Sequence, residues 1–295
     1  MLVCPVRHCR LALVREETRE GKRLVCPKGH SFDVARSGYI NLLQPQERRS
    51  KQPGDTPAAV EARQRLHDRG VTAPLLEAIA EAVAPAPEDV VLDAGCGDGF
   101  YLGTIANRAG FDAHGVDISV PAIRAAARRF PPQKGHFEWI VANADRLLPY
   151  SDASFSLVLS ITGRMNAAEF RRVLRKDGRL LVAVASPLDL MELRGHGLGM
   201  EALRMEALHD DEVSQRGEAE RRGPENLGRD RVPRTLETFA REFKLIEQRQ
   251  VTTAADLDAE AVRDVLVSIY RPMQSRPIEA MRVTFSLDLL LFRPA

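Results

Sequence analysis

The chain has 295 residues, of which 44% are hydrophobic and 28% charged, with a net charge of +1. That length buries one large core, or a medium core plus a small module, and four Cys in so long a chain exclude a disulfide framework and point to a reducing cytoplasm. No run of about 18 uncharged apolar residues is present, which predicts no membrane helix, and the Arg- and Glu-studded start lacks the apolar stretch of a secretory signal.

Residues 1–43 are turn-rich and hold three of the four Cys. Cys4-Pro-Val-Arg-His-Cys9 and Cys26-Pro-Lys-Gly-His30 read as two knuckles separated by a charged hairpin-like segment. Three thiolates and one imidazole, from Cys4, Cys9, Cys26 and His30, make a closed tetrahedral set suited to structural zinc. A module this small has little core of its own, so a metal would supply its folding energy. The four residues between Cys4 and Cys9 make a long first knuckle, and His8 is an alternative to Cys9. Residues 1–51 carry eleven Lys or Arg against five Asp or Glu, a net of +6 that leaves −5 for the rest of the chain. A basic module on a mildly acidic body suits a polyanion.

Gln44–Pro57 holds three Pro, one Gly and the basic cluster Arg48, Arg49 and Lys51, and reads as a linker. Helical periodicity follows over Ala58–Arg69 and Pro74–Val83, interrupted at Gly70. From Asp89 strands and helices alternate. Strands are predicted at Val90–Leu92, Ala113–Ile118, Glu138–Ala142, Phe155–Ile161 and Leu180–Ala185, with helices at Val120–Arg129 and Asn166–Arg175. This rhythm calls for an α/β fold with a mostly parallel, doubly wound sheet. Phe243–Val251 and Met281–Phe292 are candidates for an antiparallel pair at one edge, and 194–234 reads as a loop or lid with a short helix near Met200–Leu208.

The first strand runs into Asp93-Ala94-Gly95-Cys96-Gly97-Asp98-Gly99. Glycines there permit a tight turn and let a ligand lie against bare backbone. Asp93 and Asp98 would repel a pyrophosphate but suit a ligand bearing an ammonium and a sulfonium, as S-adenosylmethionine does. Asp117 ends the second strand, 22 residues after Gly95, where its carboxylate can accept both ribose hydroxyls. Asn143-Ala144-Asp145 ends the third, where an amide or carboxylate can pair with the adenine amino group.

These features resemble a class I (Rossmann-like) methyltransferase, which carries D-x-G-x-G-x-G, an acid after the second strand, a polar residue before Leu-Pro (Leu148-Pro149) and a helix reading into Leu-x-x-x-Gly (Leu174–Gly178). With Cys4-Pro…Cys26-Pro…His30 and Phe32–Leu43, and on through Pro53-Gly54-Asp55, Ala62-Arg63, Asp68, Pro74-Leu75 and Leu190-Met191-Glu192-Leu193, the chain is similar to the RlmA-type 23S ribosomal RNA guanine-N1 methyltransferases, which include tylosin-resistance relatives. The resemblance covers about the first two-thirds of the chain. It implies a seven-stranded, mostly parallel sheet, S-adenosylmethionine as cofactor, structural zinc, and a 23S rRNA stem-loop as partner. Residue chemistry and resemblance together place the cofactor against Thr72, Asp93, Gly95, Gly97, Asp98, Gly99, Asp117, Ile118, Asn143, Ala144 and Asp189.

Three positions depart from the family pattern. Gly70-Val71-Thr72 stands where the family has Gly-x-Tyr, Asp189 where it has His, and Thr162-Gly163-Arg164 where it tends to have Pro beside the transfer site. The sequence identifies no catalytic base; Asp189 and 162–164 are candidates by location. The resulting division is a zinc module at 1–43, linker and helices at 44–84, and a methyltransferase domain at 85–295. Two other classes are compatible with the residues: a methyltransferase acting on a small molecule or protein, its zinc module used as a lid or a contact in a homodimer, and a non-catalytic RNA-binding protein of the same fold.

Overall fold

The computed structural model describes residues 1–7, 9–18, 21–47, 53–132, 136–196, 230–269 and 278–295. The basic cluster Arg48, Arg49 and Lys51, the alternative ligand His8, most of the 194–234 segment and the short helix near Met200–Leu208 lie outside the described residues.

The N-terminal module is a three-stranded antiparallel sheet of β1 (Val14–Thr18), β2 (Gly21–Val25) and β3 (Ser31–Asp33). Every residue of β1 is exposed, so little apolar surface holds this sheet together. Backbone hydrogen bonds and a side-chain ion pair fasten the module to the body. Val3 N–H donates to the Pro149 carbonyl at 2.9 Å, Ser151 N–H donates to the Met1 carbonyl at 2.8 Å, and Arg15 pairs with Glu138.

Two helices follow, α1 (Pro57–Asp68) and α2 (Ala73–Val83), each within one residue of the sequence reading. Thr56 caps α1, its hydroxyl accepting from Ala59 N–H at 3.2 Å, with Pro57 next to it where a missing N–H costs nothing. The body alternates β5 (Val90–Ala94), α3 (Phe100–Ala109), β6 (Asp112–Asp117), α4 (Val120–Arg129), β7 (Phe137–Val141), β8 (Phe155–Ile161), α5 (Ala167–Val173) and β9 (Leu174–Ala185). It closes with α6 (Val232–Phe239), β10 (Phe243–Leu257), α7 (Ala259–Ser268) and β11 (Met281–Pro294). The expected antiparallel pair is β10 with β11, longer than predicted at both members, and β11 also pairs antiparallel with β9.

The main sheet has eight strands rather than seven, in the order β10-β11-β9-β8-β5-β6-β7-β4. The additional strand is β4 (Ile40–Asn41), which pairs parallel with Ile140 and Val141 of β7. Alternate residues bury opposite faces. Val91 joins a core with Leu75, Ile79, Ile105, Ile123 and Val262 from α2, α3, α4 and α7, while Leu92 joins one with Phe170, Val173, Phe239 and the module's Leu2 and Leu24. The strand order reverses at β5, with β6 on one side and β8 on the other, and in such sheets a ligand crevice opens beyond the carboxyl ends at that point.

Trp139 is fully buried, its indole Nε1 donating to the Phe130 carbonyl at 2.8 Å. It occupies space left by glycines: a Cβ on Gly115 would lie 2.3 Å from the ring and one on Gly99 2.6 Å. Gly115→Ala is expected to overpack this site by about 1–3 kcal/mol or more, lowering the thermal midpoint by roughly 2–10 °C. A calorimetric scan within one degree of the unmodified protein would refute that packing.

Candidate cofactor crevice and metal centre

The loop leaving β5 turns back over the end of β6. Gly95 and Cys96 N–H both donate to the Val116 carbonyl, at 2.7 and 3.1 Å, and Gly97 N–H donates to Asp117 Oδ2 at 3.0 Å. Gly95, Gly97 and Gly99 have φ of 95°, 56° and 74°, where a Cβ is penalised. Asp117 Oδ1 accepts from Ser119 N–H at 2.8 Å. Ile118 packs on Gly54, so the segment before α1 lies against this turn.

Four carboxylates gather here. Asp93 and Asp98 are each 2% exposed, and Asp93 Oδ1 and Asp98 Oδ2 have no hydrogen-bond partner among the described residues. Burial, with a smaller contribution from the Asp117 charge, pushes Asp93 up to about 8. Burial also raises Asp98, against the opposing charges of Arg63 and Arg129, and raises Asp117, against the N–H groups of Ser119 and Gly97. Arg63 pairs with Asp55 at 2.6 Å, close over Gly97. Buried carboxylate oxygens normally have partners. Orphans beside a bare glycine loop fit a ligand carrying an ammonium and a sulfonium, which would supply the missing positive charge.

The titration of Asp93 has a definite sign. Its folded value lies above its ordinary 3.8, so between about pH 4 and 8 the native state holds a proton that the unfolded chain has released. Stability of the ligand-free protein therefore falls as pH rises through that window. A cationic ligand favours the ionised form, so its affinity should climb over the same range with release of a proton. Asp93→Asn should flatten both trends. Thermal melts and binding titrations at several pH values check this, and a slope unchanged in the variant would contradict it.

Around this loop the Thr72 hydroxyl and His67 Nδ1 are hydrogen-bonded at 2.7 Å, and Thr72 lies near the Tyr101 phenol. His67 is stacked on Phe100 with centroids 3.8 Å apart, and burial lowers it to about 3, so its 3.9 Å approach to Asp98 is that of a neutral ring. Asn143 Oδ1 accepts from Asp145 N–H at 3.0 Å, and the Ala144 carbonyl accepts from the Asn166 amide at 3.1 Å. Asp189 Oδ1 accepts from Ser286 N–H at 2.9 Å, and its charge reaches Tyr101.

In the N-terminal module, Cys4 Sγ and Cys26 Sγ each lie 3.4 Å from His30 Nδ1, and Cys9 Sγ lies 3.8 Å from Cys26 Sγ. All four donor atoms fall within 4.8 Å of one another. A tetrahedron with zinc–sulfur bonds of about 2.3 Å and zinc–nitrogen bonds of about 2.0–2.1 Å has edges of about 3.8 and 3.6 Å. The donor set and its spacing fit zinc, with Cys9 at the vertex for which His8 is the alternative.

A family model described as "RlmA, N-terminal" matches residues 2–51, and one described as "Methyltransferase domain" matches residues 91–182. The 23S rRNA (guanine(748)-N(1))-methyltransferase of Streptomyces fradiae is 34% identical over an alignment spanning 99% of this chain and 96% of the relative. The chain belongs to the RlmA-type family of 23S rRNA (guanine-N1) methyltransferases. Relatives from Micromonospora griseorubida, at 34% identity over 65% of this chain and 68% of the relative, and from Bacillus subtilis, at 35% over 63% and 66%, carry provisional names of the same kind.

This methyltransferase uses S-adenosylmethionine as methyl donor and zinc in its ribbon. Among the described residues no helix is long and apolar enough to cross a membrane. Sequence reading misses what the fold brings to the crevice from before the sheet. Asp55 and Arg63 match the family pattern without disclosing a role, and His67 and Tyr101 do not stand out in the sequence. Tyr101, from α3, lies near Thr72, the residue that stands where the family pattern has a tyrosine. Its only sequence signal is an aromatic residue two positions after the third loop glycine.

Proposed function

We propose that this enzyme methylates N1 of a guanine in a stem-loop of 23S rRNA, in the cytoplasm. The observation that carries the reading is the end-to-end likeness to the S. fradiae enzyme, through zinc ribbon and sheet domain alike. In this reading residues 1–43 present the RNA, 44–84 supply the linker and crevice helices, and 85–295 hold the cofactor.

Cofactor contacts follow from the donors and acceptors at each strand end. The backbone of Gly95, Gly97 and Gly99 lies against the methionine part, with Asp93 and Asp98 complementing its positive charge. Arg63 answers its carboxylate, exchanging part of its pairing with Asp55. Asp117 accepts from the ribose hydroxyls beside Ile118, Asn143 and Ala144 line the adenine, and Thr72 and Asp189 close the far side. Methyl transfer from a sulfonium is an in-line displacement, so these residues act chiefly by positioning. The target base must leave its stack or lie in a loop to reach them.

Incubation with tritiated S-adenosylmethionine and ribosomal RNA is expected to yield acid-insoluble label. Reversing Arg48, Arg49 and Lys51 to Glu is expected to weaken RNA binding and to flatten its dependence on log salt by about 0.7–0.9 for each phosphate that is no longer neutralised. Cofactor affinity should be unchanged. A triple variant with an unaltered salt slope would remove the cluster from the RNA surface, and absence of label from RNA would favour a small-molecule or protein substrate.

A further inference from the structure

Asp145 and Arg164 stand on the loops that follow β7 and β8 and form an ion pair, with Arg164 Nη1 2.8 Å from Asp145 Oδ2. Both side chains remain partly accessible, at 41% and 27%. A pair of that kind contributes under about 1 kcal/mol to stability, yet a good deal of structure holds it. Thr162 has φ of 49°, costly for a β-branched residue. Gly163 lets its loop lie against the cofactor loop: a Cβ there would be 2.7 Å from the Ala94 carbonyl oxygen. The Ser160 hydroxyl donates to the Arg164 carbonyl at 2.6 Å, and the Asn166 amide ties this loop to the Ala144 carbonyl. The stem of Arg164 runs beside Gly95, its Cγ 3.8 Å from where a Cβ on that glycine would sit. Its charge is felt by Asp117. Strain gathered on a braced loop, next to the cofactor and aimed at no core, is characteristic of a working site.

We propose that Asp145 and Arg164 read the Watson–Crick edge of the target guanine and that Asp145 accepts its N1 proton. The inference rests on the guanine reading above. At neutral pH N1 carries hydrogen, so nitrogen has no in-plane lone pair to offer. The guanine edge presents O6 as acceptor beside the N1–H and N2–H donors. A carboxylate next to a guanidinium is the complement of that edge: Asp145 accepts from N1–H while Arg164 donates to O6, where negative charge gathers as the proton leaves. The N1 electron pair then forms the new nitrogen–carbon bond. The carbon–sulfur bond of the donor breaks with its electrons remaining on sulfur, which becomes a neutral thioether. Asp145 afterwards returns the proton to water. Both residues touch the reacting base and are catalytic in that sense.

Asp145→Asn keeps size and loses the acceptor for a proton. In single-turnover reactions on ribosomal RNA at pH 7 its rate is expected to fall at least about 100-fold, with calorimetric affinity for S-adenosylmethionine within twofold of the unmodified enzyme. The deficit should narrow as pH is raised, because solvent hydroxide then takes the N1 proton. Arg164→Met should lose about 100-fold by the same assay. An Asp145→Asn rate within threefold of the unmodified enzyme would overturn the pair and leave the guanine reading standing, as would a deficit that stays flat with pH. A parallel loss of cofactor affinity would place Asp145 at the adenine and overturn the proposal. An unmodified enzyme that leaves guanine N1 untouched would remove the guanine reading and this inference together.

Discussion

Cys26→Ser is expected to reduce bound zinc from about one per chain to a small fraction and to unfold β1–β3 while the main sheet stays folded. Cys26 is buried at the turn of the second knuckle, its N–H donating to the His30 carbonyl at 3.0 Å, and its sulfur lies close to both Cys9 and His30. The strands beside it have almost nothing else to hold them. Besides the cluster, Leu24 is the one residue of β1–β3 buried in the body's core, joined by Leu2 and in part by Leu13 and Phe32, whereas Ile40 and Leu42 are held by β7 and stay with the main sheet. Structural zinc contributes about 10–16 kcal/mol in comparable small modules near neutral pH, more than these few side chains beside β1–β3 could replace. Metal analysis together with amide exchange over Val14–Val25 gives the readout. A variant retaining full zinc, or one that loses zinc without faster exchange there, would show that the ribbon is held by something other than this site.

Asp117→Ala is expected to cost about 2–4 kcal/mol of cofactor affinity, for two hydrogen bonds from sugar hydroxyls to a charged acceptor. A carboxylate offers about four lone-pair sites, and two are taken by the Gly97 and Ser119 N–H groups. The other two suit a ribose. Because the alanine also frees those N–H groups, Asp117→Asn is the better control: one oxygen survives to hold the turn, and about half the loss should remain. Calorimetry separates the cases. Unchanged affinity in the alanine variant would remove Asp117 from the ribose.

The strands that carry the crevice could be read because each announces itself locally. Val90–Leu92 is an apolar run ending in Asp93 and a glycine cluster, Asp117 ends its own strand, and Asn143 stands just past the next. What could not be read depends on partners distant in the chain. Ile40–Asn41 is too short to show a period of two, and only β7 makes it a strand. Arg63 reads as one more charged residue on an amphipathic helix until the fold sets it over Gly97. Leu174 begins β9 six residues before the predicted start by pairing with Phe155, while Asp177-Gly178, which reads as a turn, is retained as an irregularity before Leu157 meets Arg179. The ion pair of Asp145 with Arg164 joins loops 19 residues apart, a spacing with no local signature.

Primer extension along 23S rRNA tests the central claim most directly, because a methyl on guanine N1 blocks the pairing edge and halts reverse transcriptase. With enzyme and S-adenosylmethionine together, and with neither alone, a new stop is expected one nucleotide before a single stem-loop guanine. Digestion of that RNA should release 1-methylguanosine. RNA that gains no stop and no labelled methyl group, from enzyme that binds both zinc and cofactor, would contradict the account.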